Sequence, residues 1–124
     1  MKKVLLFLLT LASPVFAQET VLQLDPAQTH IQFTLSDVLH TVHGSFRLKR
    51  GSIHYDFASG NASGEIVIDA QSADSGSGAR DKRMHKNVLE SEKFPEIAFL
   101  PDHVEGSLAK AKVHGTFRIH GQDH

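Results

Sequence analysis

His30-Ile31-Gln32-Phe33-Thr34-Leu35-Ser36 alternates polar and apolar residues without an error. Thr41-Val42-His43-Gly44-Ser45-Phe46-Arg47-Leu48-Lys49 does the same, with Gly44 as the one missing side chain. A period of two puts every second side chain on one face of an extended strand. Outward along the chain, Ile53, Tyr55 and Phe57 alternate with His54 and Asp56, and Glu65-Ile66-Val67-Ile68-Asp69 follows. Ile97 and Phe99 come later, and Val113, Gly115, Phe117 and Ile119 alternate with His114, Thr116, Arg118 and His120. One apolar face per strand predicts a sheet packed on one side. Arg50-Gly51, Ser59-Gly60-Asn61 and Glu105-Gly106-Ser107 read as short turns, and short turns force antiparallel neighbours. A meander closing toward a barrel or a sandwich is the economical topology.

One stretch breaks the period. Ser72 to Gly78 is rich in Ser and Gly and reads as a flexible loop. Ala79 to Ser91 then carries helical spacing, Met84 with Val88 and His85 with Leu89, each pair four apart. Gly78 is the candidate cap, with Asp81 three residues on, and Pro95 is the stop. Arg80, Lys82, Arg83 and Lys86 crowd the front of that helix, where the macrodipole disfavours cations. A plain surface helix explains them poorly. There is also an internal echo: His43-Gly44-Ser45-Phe46-Arg47-Leu48 resembles His114-Gly115-Thr116-Phe117-Arg118-Ile119. Only one strand repeats, so the echo reads as two strands meeting one packing need. In each, a Gly admits a neighbour and a Phe fills the interior.

The 124 residues allow one domain, and 40% apolar content is too high for a disordered chain. No window reaches the roughly 18 to 20 unbroken apolar residues of a bilayer span. With no Cys there is no disulfide and no thiolate chemistry. A net charge of -1 argues against nucleic acid, which takes clustered Lys and Arg. At the start, Lys2 and Lys3 precede an apolar run from Val4 to Ala12 broken only by Thr10. Ser13-Pro14 ends the run, and Val15-Phe16-Ala17 has the small and medium residues of a cleavage site. This is the layout of a secretory signal over 1–17, cleaved after Ala17, with one domain over 18–124. The expected address is the bacterial periplasm or the exterior, with no stable membrane anchor after cleavage.

Nine His invite a metal reading. His40 and His43 are three apart and point to opposite faces of a strand. His54, His103 and His124 have no near partner at ligand spacing, His114 and His120 lie too far apart along one strand, and HExxH is absent. No metal and no cofactor is expected. GxSxG and the phosphate-loop glycines are also absent, so no enzymatic activity is expected. Glu90 and Glu92 read as solvent-facing. What remains is the apolar face: Ile31, Phe33, Leu35, Val42, Phe46, Ile53, Phe57, Ile66, Ile68, Ile97, Phe99 and Phe117. In a small barrel these residues fill a core or line a slot for one apolar ligand, and periodicity leaves both open.

Gly78-Ala79-Arg80-Asp81-Lys82-Arg83-Met84-His85-Lys86-Asn87-Val88-Leu89, followed by Phe94-Pro95-Glu96-Ile97-Ala98-Phe99, resembles the signature helix and next strand of the YceI-like family. These are bacterial lipocalin-like polyisoprenoid-binding proteins. Leu24-Asp25-Pro26-Ala27-Gln28-Thr29-His30-Ile31-Gln32-Phe33 is similar to the family's opening, Val42-His43-Gly44-Ser45-Phe46 to its G-x-F strand, and Gly115-Thr116-Phe117-Arg118-Ile119-His120-Gly121 to a late strand. The resemblance implies a mainly β protein, an antiparallel lipocalin-like β-barrel with one short helix. Its interior would bind an isoprenoid, a quinone-like molecule or another amphiphilic lipid. The apolar residues named above, Phe57 apart, become the ligand-binding lining. Arg80, Asp81 and His85 become the polar group of the signature helix, either meeting a head group or locking the helix to the barrel, with locking favoured. The family's domain runs on past the His-Gly turn, whereas this chain ends at His124. About seven strands, with the last at Lys112 to His120, predict a barrel whose C-terminal strands are missing, and a homo-oligomer through that edge. A filled-core interaction module without a ligand is the alternative.

Overall fold

Alternation does build strands here. A computed structural model describes residues 20–36 and 38–124; the export signal expected over 1–17 lies outside the described residues. The elements are β1 (Thr20–Gln23), β2 (His30–Ser36), β3 (Thr41–Asp56), β4 (Asn61–Asp74), α1 (Gly78–Arg83), β5 (Glu96–Ser107), β6 (Lys110–Ile119) and β7 (Gln122–Asp123). All pairings are antiparallel, in the order β1-β3-β4-β5-β6-β7, with β2 also on β3. The first two strands share one edge: β1 covers Ser52 to Tyr55 and β2 covers Thr41 to Arg47. Among the described residues, no pairing joins β6 or β7 to β1, β2 or β3, so the sheet is open.

Arg50-Gly51 is not a turn. Strand β3 runs straight through it, with a register shift between Leu48 and Arg50. The extra residue, Lys49, restores the apolar face: Leu48 pairs with Ile68, and Gly51 with Ile66. A second shift between Pro101 and His103 does the same in β5, where Val104 then pairs with Val113. Each bulge bends its strand and tightens the twist. The expected loop from Ser72 is also partly strand, since β4 extends to Asp74. Ser72 explains this. Its Oγ accepts from the Arg47 N–H at 2.7 Å and donates to the Asp69 carbonyl at 2.6 Å, standing in for a backbone partner where β4 bulges. The third of the expected turns also lies later, at Leu108-Ala109 rather than Glu105 to Ser107.

The helix is capped by Ser77, whose Oγ accepts from the Arg80 N–H; Gly78 is the first helical residue. After Arg83 it widens into a π-helical turn, Met84–Val88, closed by the Leu89 N–H to the Met84 carbonyl at 2.8 Å. Lys112 to His120 is not the final strand. His120 and Gly121 take positive φ, 55° and 70°, as in a type I′ hairpin, and β7 returns against Arg118 and Ile119.

The two faces of the sheet differ. Ile68, Ala70 and Ile97 form the core, with Ile31, Phe46, Ile66 and Ile119 packed on it. The other face is charged. Arg50 meets Glu96 and Glu65 at 3.5 and 3.9 Å, Lys49 meets Glu96 at 3.4 Å, and Arg118 meets Asp123 at 2.8 Å. Val67 sits on that charged face, registered between Arg50 and Ala98, and is only 1% exposed. Long charged side chains cover apolar surface with their stems.

Candidate functional site

The registers place the expected lining on one face in successive rows: Leu35 beside Val42, Phe33 beside Gly44, and Ile31 beside Phe46. Leu48, Ile68 and Ile97 form the next row, then Gly51, Ile66, Phe99 and Phe117. Ile53 follows, opposite Gly64 and Leu22. Phe57 does not join them. It lies in the turn after β3, edge-on to Tyr55 at 5.1 Å. Burial falls off outward along this face. Ile53, Ile68 and Ile97 are buried, Phe33, Phe46 and Phe99 half-buried, and Phe117 and Leu35 are 41% and 59% exposed.

The sequence echo has a physical counterpart. A Cβ on Gly44 would strike the Phe33 ring, and one on Gly115 would meet the Phe99 ring at 2.9 Å. In each pair a cross-strand ring covers the glycine, the device by which aromatics protect a bare backbone. That ring then packs on the Phe two residues on, Phe33 on Phe46 at 5.1 Å and Phe99 on Phe117 at 4.6 Å.

The polar group of the helix does not gather around one point. Asp81 Oδ1 accepts from both the N–H and the Oγ of Ser75, at 2.8 and 2.6 Å, and Arg80 Nη1 donates to the Ser75 carbonyl at 3.4 Å. The Ser75 hydroxyl and N–H, with smaller help from His85 and Arg80, hold the Asp81 carboxyl below the ordinary aspartate range. His85 faces elsewhere. Its Nε2 donates to the Ala73 carbonyl at 3.2 Å, and its Nδ1 shares a hydrogen bond with Ser91 Oγ at 2.8 Å. Ser75 and Ser91 are both buried. So the helix is tied to the end of β4 and to the turn that follows the helix.

Other contacts were not foreseen. Glu90 does not simply face solvent: it is half-buried and accepts from His120 Nε2 at 3.1 Å. The His120 ring packs on Phe94 at 4.3 Å, and Phe94 also lies over Gly121. This node ties the β6–β7 turn to the segment after the helix. Phe94 and His120 were visible only as motif letters, because their meeting depends on the fold. His103 does have a near partner. It faces His114 across β5 and β6 at 5.6 Å, and Glu105 Oε1 lies 3.3 and 3.6 Å from their Nε2 atoms. Among the described residues, no three His, Cys, Asp or Glu are grouped to hold a metal ion. An open cleft of about 690 Å³ lies beside the helix, lined by Gln71, Lys82, His85, Lys86, Glu90, Ser91, Glu92 and Lys93. No described helix is long and apolar enough to cross a membrane.

The molecule is therefore a mainly β protein, an antiparallel sheet with one apolar face and one short helix pinned beside it. It belongs to the YceI-like family: the model of the YceI-like domain matches residues 22–124. None of the curated proteins matches the chain in sequence.

Proposed function

We propose that the apolar face binds the hydrocarbon of an amphiphilic lipid, a polyisoprenoid or a quinone-like molecule, and does no chemistry on it. Closure of the sheet into a lipocalin-like barrel around that chain is part of the proposal, as is a periplasmic or secreted address. The observation that carries the reading is apolar surface left uncovered at two opposite margins of that face. Phe117 and Leu35 stay 41% and 59% exposed, in line with a buried core. Exposed apolar surface continuous with a core is the kind that ligands cover. Membership of a family of lipid and polyisoprenoid binders supports it. Arg80, Asp81 and His85 act in this reading as the lock on the helix, since their contacts run to Ser75, Ser91 and Ala73.

Titration with a fluorescent prenyl probe tests it. Saturable uptake is expected, and Phe117→Asp should weaken it about tenfold or more, since burying a Phe side chain is worth roughly 1.5–3 kcal/mol. The strand-type far-UV spectrum should persist. A folded protein with no saturable uptake contradicts the reading. One observation favours an interaction module instead. Among the described residues, β7 reaches only the end of β6, and the outer edge of Lys110 to Thr116 has no strand beside it. Such an edge pairs with another chain. Absent uptake together with concentration-dependent sedimentation would favour that module.

A further inference from the structure

The four cations at the front of the helix have no part in the apolar face. Of these, Lys82, Arg83 and Lys86 are exposed and pair with no carboxylate among the described residues. On the charged face of the sheet, by contrast, Lys49, Arg50 and Arg118 are each matched by an acid. Lys93 adds a further exposed cation beside the same cleft. Residues 78–93 carry five basic and three acidic side chains. Of those acids, Asp81 is engaged by Ser75 and Glu90 by His120, and Glu92 is exposed.

The same end of the sheet exposes aliphatic side chains. Strand β4 ends at Asp74, opposite Ser45, and the helix begins four residues later. The turn between them lies against β2 and β3, where Asp74 and Gly76 share a cleft with Phe33, Thr34, His43 and Gly44. From Ser45 the strand pair continues to Ser36 and Thr41, about 13 Å further at strand rise. Its tip carries Val38, 99% exposed, and Leu39, 83% exposed. Val88, on the π-helical turn, is 65% exposed. Two adjacent aliphatics at a hairpin tip, at the same end as unmatched cations, combine the two attractions that hold a protein on an anionic bilayer.

We propose that this end of the molecule is a reversible docking surface for an anionic lipid bilayer. Lys82, Arg83 and Lys86 meet the head groups, and Val38 and Leu39 enter the interface. The proposal stands whether or not the apolar face of the sheet holds a lipid. The test is co-sedimentation of the full gene product, as the expressing bacterium processes it, with vesicles of phosphatidylglycerol and phosphatidylethanolamine or of phosphatidylcholine alone. Binding to the anionic vesicles is expected, falling as salt is raised. Lys82→Glu with Lys86→Glu should weaken it more than about tenfold, given roughly fivefold per charge. Val38→Ser with Leu39→Ser, which leaves the charge unchanged, should also weaken it at least about tenfold, while melting temperature and uptake of a prenyl probe from solution stay unchanged. Equal partition onto both vesicle types, or none onto anionic vesicles, overturns the proposal. So does anionic binding that the tip variant leaves intact, which would reduce the contact to charge alone, with no side chain entering the interface.

Discussion

The pairs β2–β3 and β5–β6 solve one local problem in one way and end in different surroundings. In each, a ring from the first strand covers a glycine of the second and packs on the Phe two residues on. Yet Phe46 packs against the Ile68, Ala70 and Ile97 core, whereas Phe117 stays 41% exposed. Pairing chemistry sets the register, and what lies across the face sets the burial. Both pairs lie at margins of the open sheet, but Phe46 stands on the inner strand of its pair and Phe117 on the outer one.

The sharpest way to break this comparison is to add one methyl group to each glycine. On Gly115 it would meet the backbone carbonyl of Leu100, which cannot move without disturbing β5. Gly115→Ala should cost about 3 kcal/mol or more in denaturant unfolding, the upper end for overpacking. On Gly44 the first obstacle is the far end of the Phe33 ring, although the Asp74 carbonyl lies at 2.8 Å. Gly44→Ala should cost less, about 1–2 kcal/mol. Equal losses would mean that the two motifs are not packed as described.

Truncating the two phenylalanines sharpens the comparison from the other side. Phe46→Ala should cost about 3 kcal/mol of stability, as for a core aromatic. Phe117→Ala should cost about 1 kcal/mol, because much of its ring is already in water. Affinity for a prenyl probe should rank the opposite way once stability is accounted for, with Phe117→Ala the more damaging. A Phe117 variant that unfolds like Phe46→Ala would place it in the core.

Much of this contrast was legible in the sequence. The alternation of β2, β3 and β6 named the shared face. The parity of the apolar residues also held the bulge of β3: Val42, Phe46 and Leu48 are even-numbered, and Ile53 and Tyr55 odd. Read as a turn at Arg50-Gly51, that parity change was misassigned, because a bulge and a turn both use Gly. Ser72 looked like loop for a similar reason: its side chain, not its backbone, satisfies Arg47. The node of Glu90, Phe94 and His120 was illegible, since thirty residues separate its hydrogen-bonded pair.

The smallest expected effect lies at the helix. The folded Asp81 carboxyl titrates below its ordinary value, chiefly because Ser75 donates to it. Its contribution to stability is therefore full above the unfolded value and is lost as pH falls through the folded one. The gap in melting temperature between the unchanged protein and Asp81→Asn should hold from pH 7 to about 5 and close below about pH 4. A gap independent of pH would show that the carboxylate charge is not what holds Ser75.

Native mass spectrometry of the protein purified without detergent tests the central claim most directly. If the apolar face holds an amphiphile, the folded protein should carry a bound mass that organic extraction recovers as a lipid with a long hydrocarbon chain. That mass should be depleted in Phe117→Asp and retained in Lys82→Glu with Lys86→Glu. A folded protein that flies at its bare mass, and stays bare after incubation with prenyl lipid, would contradict the account.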